Sequence, residues 1–367
     1  MRPRYALALG LLAACHKASP PTAAALGERV FNEPALSHPA GQACADCHQP
    51  YRAFSDPETD STTSQGVVDG RFGSRNAPSA MYARYVPSLT KDATGAYHGG
   101  LFWDGRGGSL EQQAGFPLLN PAEMANPDHA TVAKSIRAVP YAKEFHALYG
   151  AGSLDNDDAA FTHVADAIAA YERSPVFAPF SSKYDRYLAK TETLTAEESR
   201  GLAIFEDPAR GNCASCHPSR PSADGTPPLF TDFSYANLGI PHYRNSKYYD
   251  QNPAGADFID HGLMQTTNDA AQDGKFRTPT LRNIATTGPY GHNGYFDNLP
   301  YMLDFIATRD RAPIDTTLKP WKPPEVATTL DHRVGNLPLT QQDLDDLAAF
   351  LGTLSDQLPH APPPQRR

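Results

Sequence analysis

The sequence is poor in cysteine and lacks a long apolar run. Only five cysteines occur in 367 residues, and four of them lie in two short motifs, so no pair remains for a disulfide bond. The most apolar stretch of the N-terminus, residues 5–14, is too short to span a bilayer as a helix. A mean hydropathy of −0.49 is typical of a globular body in water. These shortages exclude a disulfide-stapled scaffold and a bundle of membrane helices.

Basic residues are also in short supply, with 32 Lys and Arg against 41 Asp and Glu and a formal net charge of −9. A surface of this sign repels nucleic acid and favours a basic protein partner, such as a small electron-donor cytochrome c or similar protein. Acidity for solubility alone is the other explanation. Strand patterns are scarce too, so the sequence predicts a mostly α protein.

The four clustered cysteines form two copies of C-x-x-C-H, at residues 44–48 (CADCH) and 213–217 (CASCH). Each copy offers two thiols for thioether bonds to a haem and a histidine for its iron. The predicted attachment residues are Cys44, Cys47, His48, Cys213, Cys216 and His217, with His48 and His217 as iron ligands. A structural zinc site is the alternative, but it would need both pairs to converge on one metal.

The N-terminus predicts export. Arg2 and Arg4 precede the apolar run, and residues 12–15 (LAAC) resemble the lipobox of bacterial lipoproteins, in which the cysteine is acylated. Residues 1–14 would then be a signal peptide, Cys15 a lipid-bearing N-terminus and 15–25 a tether. An ordinary signal peptide with an incidental cysteine is the alternative. Export agrees with covalent haem and predicts a periplasmic, lipid-anchored protein, with the outer membrane favoured because no Asp follows the cysteine.

A pattern recurs about 170 residues apart, which predicts two related domains in tandem. G-x-x-V-F-x-x-P at 27–34 precedes the first haem motif, and G-x-x-I-F-x-x-P at 201–208 precedes the second. The predicted bounds are 26–185 and 190–355, with a connector at 181–193 and a disordered tail at 356–367. Helical spacing predicts helices over 131–148, 158–173, 299–308 and 341–354, with Thr195 and Thr340 as N-caps. The residues predicted to form the core of the first two are Val132, Ile136, Val139, Val164, Ala167, Ile168 and Tyr171.

Five further segments identify a family resemblance. These segments are FWDGR at 102–106, LEQQA at 110–114, NPAEM at 120–124, TPTLRN at 278–283 and GPYGHNG at 288–294. In order and spacing they resemble the bacterial di-haem cytochrome c peroxidases and their MauG-type relatives. The resemblance covers roughly residues 26–355. It implies two tandem cytochrome c-like domains, each with one covalent haem, joined at an interface that holds haem and calcium.

The resemblance also implies roles for residues between the motifs. Glu123 matches the acid/base above the first haem, Gln113 the amide beside it and Pro117 the ring packed on the haem face. Trp103 matches the aromatic that carries electrons between the haems. A solvated loop carboxylate, a helix-surface amide and a core tryptophan are the respective alternatives. Calcium would be held by oxygens of Asn76, Thr287 and Pro289, since oxygen ligands suit this hard cation.

Three departures from the family pattern affect the expected chemistry. Residues 49–97 contain no histidine, so the first haem should be five-coordinate or water-bound, and His98 is predicted to be a surface residue. Ile306 stands where relatives offer Met or Tyr to the second haem, and Met302 one turn earlier could replace it. Met264, His242 and His261 are weaker candidates for that ligand. Gly211 stands where the MauG-type branch has a tryptophan, which argues against the same route to a protein substrate.

The expected function is reduction of hydrogen peroxide to water with electrons from an external donor. Peroxide would bind at the haem of His48, Glu123 would move its proton, and Trp103 would pass the second electron from the haem of His217. The alternative is a MauG-type oxidase that modifies a partner protein through high-valent haem iron. A pure electron-transfer or sensor cytochrome would need both irons closed by protein ligands. The family relationship also leaves a homodimer open.

Overall fold

The computed structural model describes residues 21–57, 62–252 and 254–360, and these ranges are mostly helical. Their α-helices are α1 (Ala23–Phe31), α2 (Cys44–Cys47), α3 (Leu110–Leu119), α4 (His129–Ala138), α5 (Ala142–Tyr149), α6 (Asp157–Glu172), α7 (Lys183–Leu188), α8 (Ala196–Glu206), α9 (Tyr248–Gln251), α10 (Met264–Thr267), α11 (Leu299–Thr308) and α12 (Gln341–Gly352). Four two-residue strands form two antiparallel pairs: β1 (Thr90–Lys91) with β2 (Tyr97–His98), and β3 (Tyr235–Ala236) with β4 (Phe276–Arg277). The prediction of a mostly α protein is confirmed.

Helix α1 crosses α6 closely, and this crossing organises the core around the first haem motif. A side chain on Gly27 would place its Cβ 1.8 Å from the carbonyl oxygen of Ala167, so only glycine permits this approach. Val30 and Phe31 of α1 are buried there against Tyr171. All seven core residues predicted on α4 and α6 and in the turn after α4 are buried.

Helices α8 and α12 repeat the same crossing near the second haem motif. A Cβ on Gly201 would lie 2.0 Å from the carbonyl oxygen of Asp346 and 2.8 Å from the Cβ of Phe350. Ile204 and Phe205 are buried in this second core. Both helices begin with the capping boxes that their sequences suggest, because the hydroxyls of Thr195 and Thr340 accept hydrogen bonds from backbone N–H groups three residues on.

Four segments differ from the sequence-based expectation. The helical pattern at 131–148 is two helices, because Pro140 cannot continue the hydrogen-bond ladder of α4. Helix α1 begins at Ala23, inside the expected tether, where Thr22 caps it. The connector contains α7, and Asp356 in the expected disordered tail is buried and accepts a hydrogen bond from Tyr82 at 2.7 Å.

The predicted signal peptide and Cys15 lie outside the described residues. Within the ranges that the structure covers, no helix has the length and apolarity needed to cross a bilayer.

The segment between the two cores is anchored by Arg282, whose buried guanidinium binds both carboxylate oxygens of Asp185 at 2.8 and 2.9 Å. Tyr184 beside it packs in the second core.

The close crossing of α8 and α12 predicts that alanine destabilises the protein at Gly201 but not at Gly352. Gly201→Ala should lower the free energy of unfolding by about 1–3 kcal/mol, because the new Cβ meets backbone that cannot move aside. Gly352→Ala on α12 is the control, since nothing lies within 4 Å of the Cβ it would add. Thermal unfolding followed by circular dichroism measures both. Equal melting temperatures for the two variants would contradict the crossing.

Candidate haem sites and peroxide pocket

One cavity of about 730 Å³ is lined by both C-x-x-C-H motifs. All four motif cysteines and both motif histidines contribute to its wall, although the motifs lie 169 residues apart in the chain. The cavity is lined mainly by apolar side chains, with a few polar groups among them, which is the usual composition of a cofactor site. The structure therefore brings the two predicted haem sites into one connected space.

The two motif histidines are held by the same device. Nδ1 of His48 lies 2.8 Å from the carbonyl oxygen of Phe54, and Nδ1 of His217 lies 2.7 Å from that of Phe230. Because a carbonyl only accepts, Nδ1 of each ring donates and Nε2 keeps its lone pair. Burial lowers the pKa of both histidines, which keeps them neutral. A neutral imidazole with a free Nε2 is what an iron ligand requires.

The cysteines also fit covalent haem. Burial raises the pKa of the Cys44 and Cys213 thiols to about 12, so these positions suit a neutral sulfur such as a thioether. A zinc site would need thiolates and converging ligands. Among residues 21–57, 62–252 and 254–360, no three His, Cys, Asp or Glu side chains are arranged to hold a metal ion. The zinc alternative is not supported.

Glu123 lines the cavity together with Gln113 and Pro117. Burial raises the pKa of Glu123, and only partly offsetting effects come from Asn120 and Arg106. The side-chain amide of Asn120 donates to Oε1 of Glu123 at 2.6 Å and fixes that carboxyl group. The carboxyl group is therefore held in the cavity with a raised proton affinity, as an acid/base group needs.

Helix α3 supplies the amide and the ring from one short segment. Ser109 caps it, and Gln113 and Pro117 stand one turn apart, so they occupy the same face. Proline has no N–H to donate to the carbonyl of Gln113, which weakens the ladder at this point. The chain then turns at Asn120 and returns Glu123 to the cavity, with the amide N–H of Met124 donating to the carbonyl of Pro117 at 3.2 Å.

Trp103 lines the cavity shared by the two motifs. Its indole Nε1 donates to the carbonyl oxygen of Asn76 at 2.9 Å, and its own carbonyl accepts from the amide of Arg277 at 2.8 Å. These bonds tie the tryptophan to a segment from each side of the cavity. It is half-buried, so it is neither an exposed surface residue nor a fully buried core residue.

Two of the three residues expected to bind calcium contact each other. The side-chain amide of Asn76 donates to the carbonyl oxygen of Pro289 at 2.7 Å, and Thr287 lines the same cavity. Rotation of the Asn76 amide would point its oxygen at that carbonyl. Two oxygens facing each other would then suit a hard cation between them.

Helix α11 presents one face to the cavity. Leu299, Met302, Leu303 and Ile306 all line it, at the i, i+3, i+4 and i+7 spacing of a helix face. The sulfur of Met302 is the soft ligand atom on that face, and Ile306 has none. The weaker candidates Met264, His242 and His261 do not line the cavity.

The structure also locates two departures seen in the sequence. His98 is on β2, away from the cavity lining, and its Nε2 lies 3.2 Å from a carboxylate oxygen of Asp92. A Cβ on Gly211 would lie 2.4 Å from the carbonyl oxygen of Ile204. No larger side chain fits at Gly211 unless the backbone moves.

Sequence reasoning missed three polar residues of the cavity. Asn120 holds Glu123, while Arg106 stacks 3.8 Å from the ring centre of Phe102 and binds Asp104. Asn120 and Arg106 lie in the family segments 120–124 and 102–106, so the sequence could have marked them as candidate site residues. Glu172 ends α6 and lines the cavity, but no motif marks it.

These features define a class of protein, a c-type cytochrome with two covalent haems and a polar pocket beside the first. Residues 21–193 match the family described as di-haem cytochrome c peroxidase. The chain is 43% identical over 347 residues to methylamine utilization protein MauG of Paracoccus denitrificans, covering 91% of this chain and 88% of that protein. It is 31% identical over 353 residues to cytochrome-c peroxidase IdrP1 of Denitromonas iodatirespirans, covering 90% and 81%.

Solved structures agree with these relatives. The di-haem peroxidase BthA of Burkholderia thailandensis superposes with a TM-score of 0.81 at 36% identity, covering 92% of this chain and 86% of that one. A MauG-like protein associated with microbial copper homeostasis gives 0.69 at 30% identity, covering 91% and 89%. The chain belongs to the di-haem cytochrome c peroxidase family, which includes the MauG-type proteins. It is an oxidoreductase with two c-type haems.

Proposed function

We propose that this protein reduces hydrogen peroxide to water with electrons from an external donor, such as a small cytochrome c. The observation that carries the proposal is that Glu123 and Gln113 line the same cavity as His48, with Asn120 fixing the carboxyl group. The attached haems would supply the iron that cleaves the O–O bond and store the electrons. The overall step consumes one peroxide, two electrons and two protons and releases two waters.

The side chains of the pocket divide the remaining work. Glu123, with its raised pKa, takes a proton from one peroxide oxygen and returns it to the other, so that the leaving oxygen departs as water. The amide of Gln113 would orient peroxide by hydrogen bonding, and Pro117 would pack against the bound haem. Residues 49–97 contain no histidine that could occupy the peroxide-binding position at the haem of His48.

Trp103 is proposed to carry the second electron from the haem of His217 to that of His48. Its support is its position in the shared cavity, bonded to Asn76 on one side and Arg277 on the other. Calcium between Asn76, Thr287 and Pro289 would hold these segments together at the interface of the two haems. Oxygen ligands at that place suit the cation.

The proposal includes two tandem cytochrome c-like domains with the bounds 26–185 and 190–355. The matched glycine crossings of α1 with α6 and of α8 with α12 support it. It also includes export to the periplasm, with acylation of Cys15 as a lipid anchor and the outer membrane as the favoured location. Homodimer formation remains part of the same hypothesis and rests on the family relationship.

Replacing Glu123 by Gln tests the pocket. Glu123→Gln keeps the shape and the contact with Asn120 but cannot accept a proton, so peroxide turnover should fall by about 10²–10⁴-fold. Haem content, measured by absorption of the pyridine complex, should not change. Glu144→Gln on α5, a glutamate that pairs with Arg29 away from the cavity, is the control. Unchanged turnover in Glu123→Gln would contradict the assignment.

A MauG-type oxidase is the second candidate, favoured by the 43% identity to MauG. The backbone contact at Gly211 favours the peroxidase, because no aromatic fits there to lead oxidation to a partner protein.

An electron-donor assay separates these two activities. With peroxide and a reduced small basic cytochrome c, we expect sustained turnover that falls as salt screens the acidic surface. Stopped-flow absorption of the donor measures it. Rapid reaction with peroxide but no sustained donor oxidation would instead support modification of a partner protein.

Met302 is proposed as the sixth ligand of the haem held by His217. Met302→Ala should remove or shift the low-spin ferric signal in electron paramagnetic resonance, because the thioether is lost from the iron. Leu303→Ala, a neighbouring cavity-lining change of similar size, should leave that signal in place. Identical spectra for wild type and Met302→Ala would show that this methionine only packs against the core.

A further inference from the structure

Glu172 is a buried acid that has no role in the proposed peroxide chemistry of Glu123 and Gln113. It ends α6, is only 5% exposed and lines the same cavity as Glu123 and Gln113. Its buried Oε2 has no hydrogen-bond partner. A buried carboxyl oxygen without a partner is costly, so its retention beside a reactive pocket points to a role other than packing.

Glu172 lines the cavity, and its neighbour in the chain takes part in a surface ion pair. Arg173, the next residue, is 44% exposed and pairs with Glu111 of α3, whose carboxylate oxygen lies 2.5 Å from the guanidinium. On the cavity side, burial is the main reason why the pKa of the Cys44 thiol is raised, and the nearby carboxylate of Glu172 adds to the rise. Glu172 therefore stands between a surface ion pair and the attachment point of the first haem.

The charges around Glu172 keep its proton in place. Burial raises the pKa of Glu172 to about 8, Arg173 opposes this rise and Glu111 supports it. A lone cation next to the acid would favour the ionised form, but Glu111 pairs with that cation and cancels much of its effect. The C-terminal end of α6 also disfavours a negative charge. Glu172 thus carries a proton at neutral pH and releases it in a mildly alkaline range.

Peroxide reduction needs such a group. The proton that Glu123 moves stays within the substrate, whereas the two protons consumed with the two electrons must enter from solvent. Glu172 holds a transferable proton at the cavity wall and can be recharged from the surface near Glu111. After it gives up that proton, one taken from solvent restores the neutral acid, so the balance closes over each turnover.

We propose that Glu172 is the proton-entry group of the peroxide pocket, which passes solvent protons from the surface beside Arg173 and Glu111 into the cavity that Glu123 faces. This inference rests on the proposed peroxidase function. Glu172 acts through the proton supply of the pocket and makes no contact with peroxide, so Glu123 remains the catalytic acid/base.

The first experiment needs no peroxide. Infrared difference spectra of the resting ferric protein, between about pH 6 and about pH 10, should show loss of a carboxylic-acid C=O band as Glu172 ionises. The isosteric Glu172→Gln should lack that band, and Glu28→Gln, an exposed glutamate on α1, should retain it. Glu123 is a second buried acid with a raised pKa, so the comparison is repeated in the Glu123→Gln background. A titrating band that persists there after Glu172→Gln would overturn the proposal.

The second experiment follows turnover against pH. Wild-type turnover should fall as pH rises through about 8, because the raised pKa leaves Glu172 protonated below this value and ionised above it. Glu172→Gln should lower turnover by between about tenfold and a hundredfold at neutral pH, and Glu172→Asp should recover part of it. Turnover of Glu172→Gln within about twofold of wild type, with the same pH profile, would overturn the proposal.

The ion pair offers a variant that leaves Glu172 itself intact. Glu111→Gln frees Arg173 to stabilise the ionised form, so both the infrared titration and the alkaline limb of the turnover profile should move to lower pH. If Glu172→Gln does not fold, this variant still decides the question. If neither the infrared titration nor the alkaline limb of the turnover profile shifts in Glu111→Gln, the proposed electrostatic coupling is wrong.

Discussion

The hydrogen bond from each motif histidine to a backbone carbonyl is the constraint on which both sites depend. Phe54 and Phe230, which supply these carbonyls, both have φ of +52°, a left-handed conformation that costs most residues about 1–3 kcal/mol. The same uncommon geometry occurs twice, each time at the carbonyl that accepts a hydrogen bond from a motif histidine. Burial of the Phe54 and Phe230 side chains in the two cores helps to offset this strain.

Much of the architecture was predictable because it depends on local signals. The two C-x-x-C-H motifs, the capping boxes at Thr195 and Thr340 and the apolar spacing of α6 each act within a few residues. The repeated glycine pattern predicted a duplication, and the crossings at Gly27 and Gly201 have the same close backbone contact. The break at Pro140 departed from the periodic pattern, since periodicity does not register a missing N–H.

The polar detail of the pocket was less predictable, because it arises from contacts between distant segments. Glu172 looks like the polar end of an ordinary amphipathic helix, and only tertiary packing buries it and pairs its neighbour Arg173 with Glu111. Asn120 was visible within a motif, yet its bond to Glu123 depends on the turn that follows α3. The position of Met302 likewise required the folded chain, which shows that this candidate ligand lines the cavity and that Met264, His242 and His261 do not.

The shared cavity has a consequence for how this protein matures. A largely apolar space of about 730 Å³ between two cores would collapse or fill with water if the chain folded without its cofactors. Haem attached at the two motifs would therefore form part of the hydrophobic interior, and the chain could complete its packing only with haem in place. Cellular supply of haem would then control the quantity of stable protein, and loading at one motif would prepare the wall that receives the other.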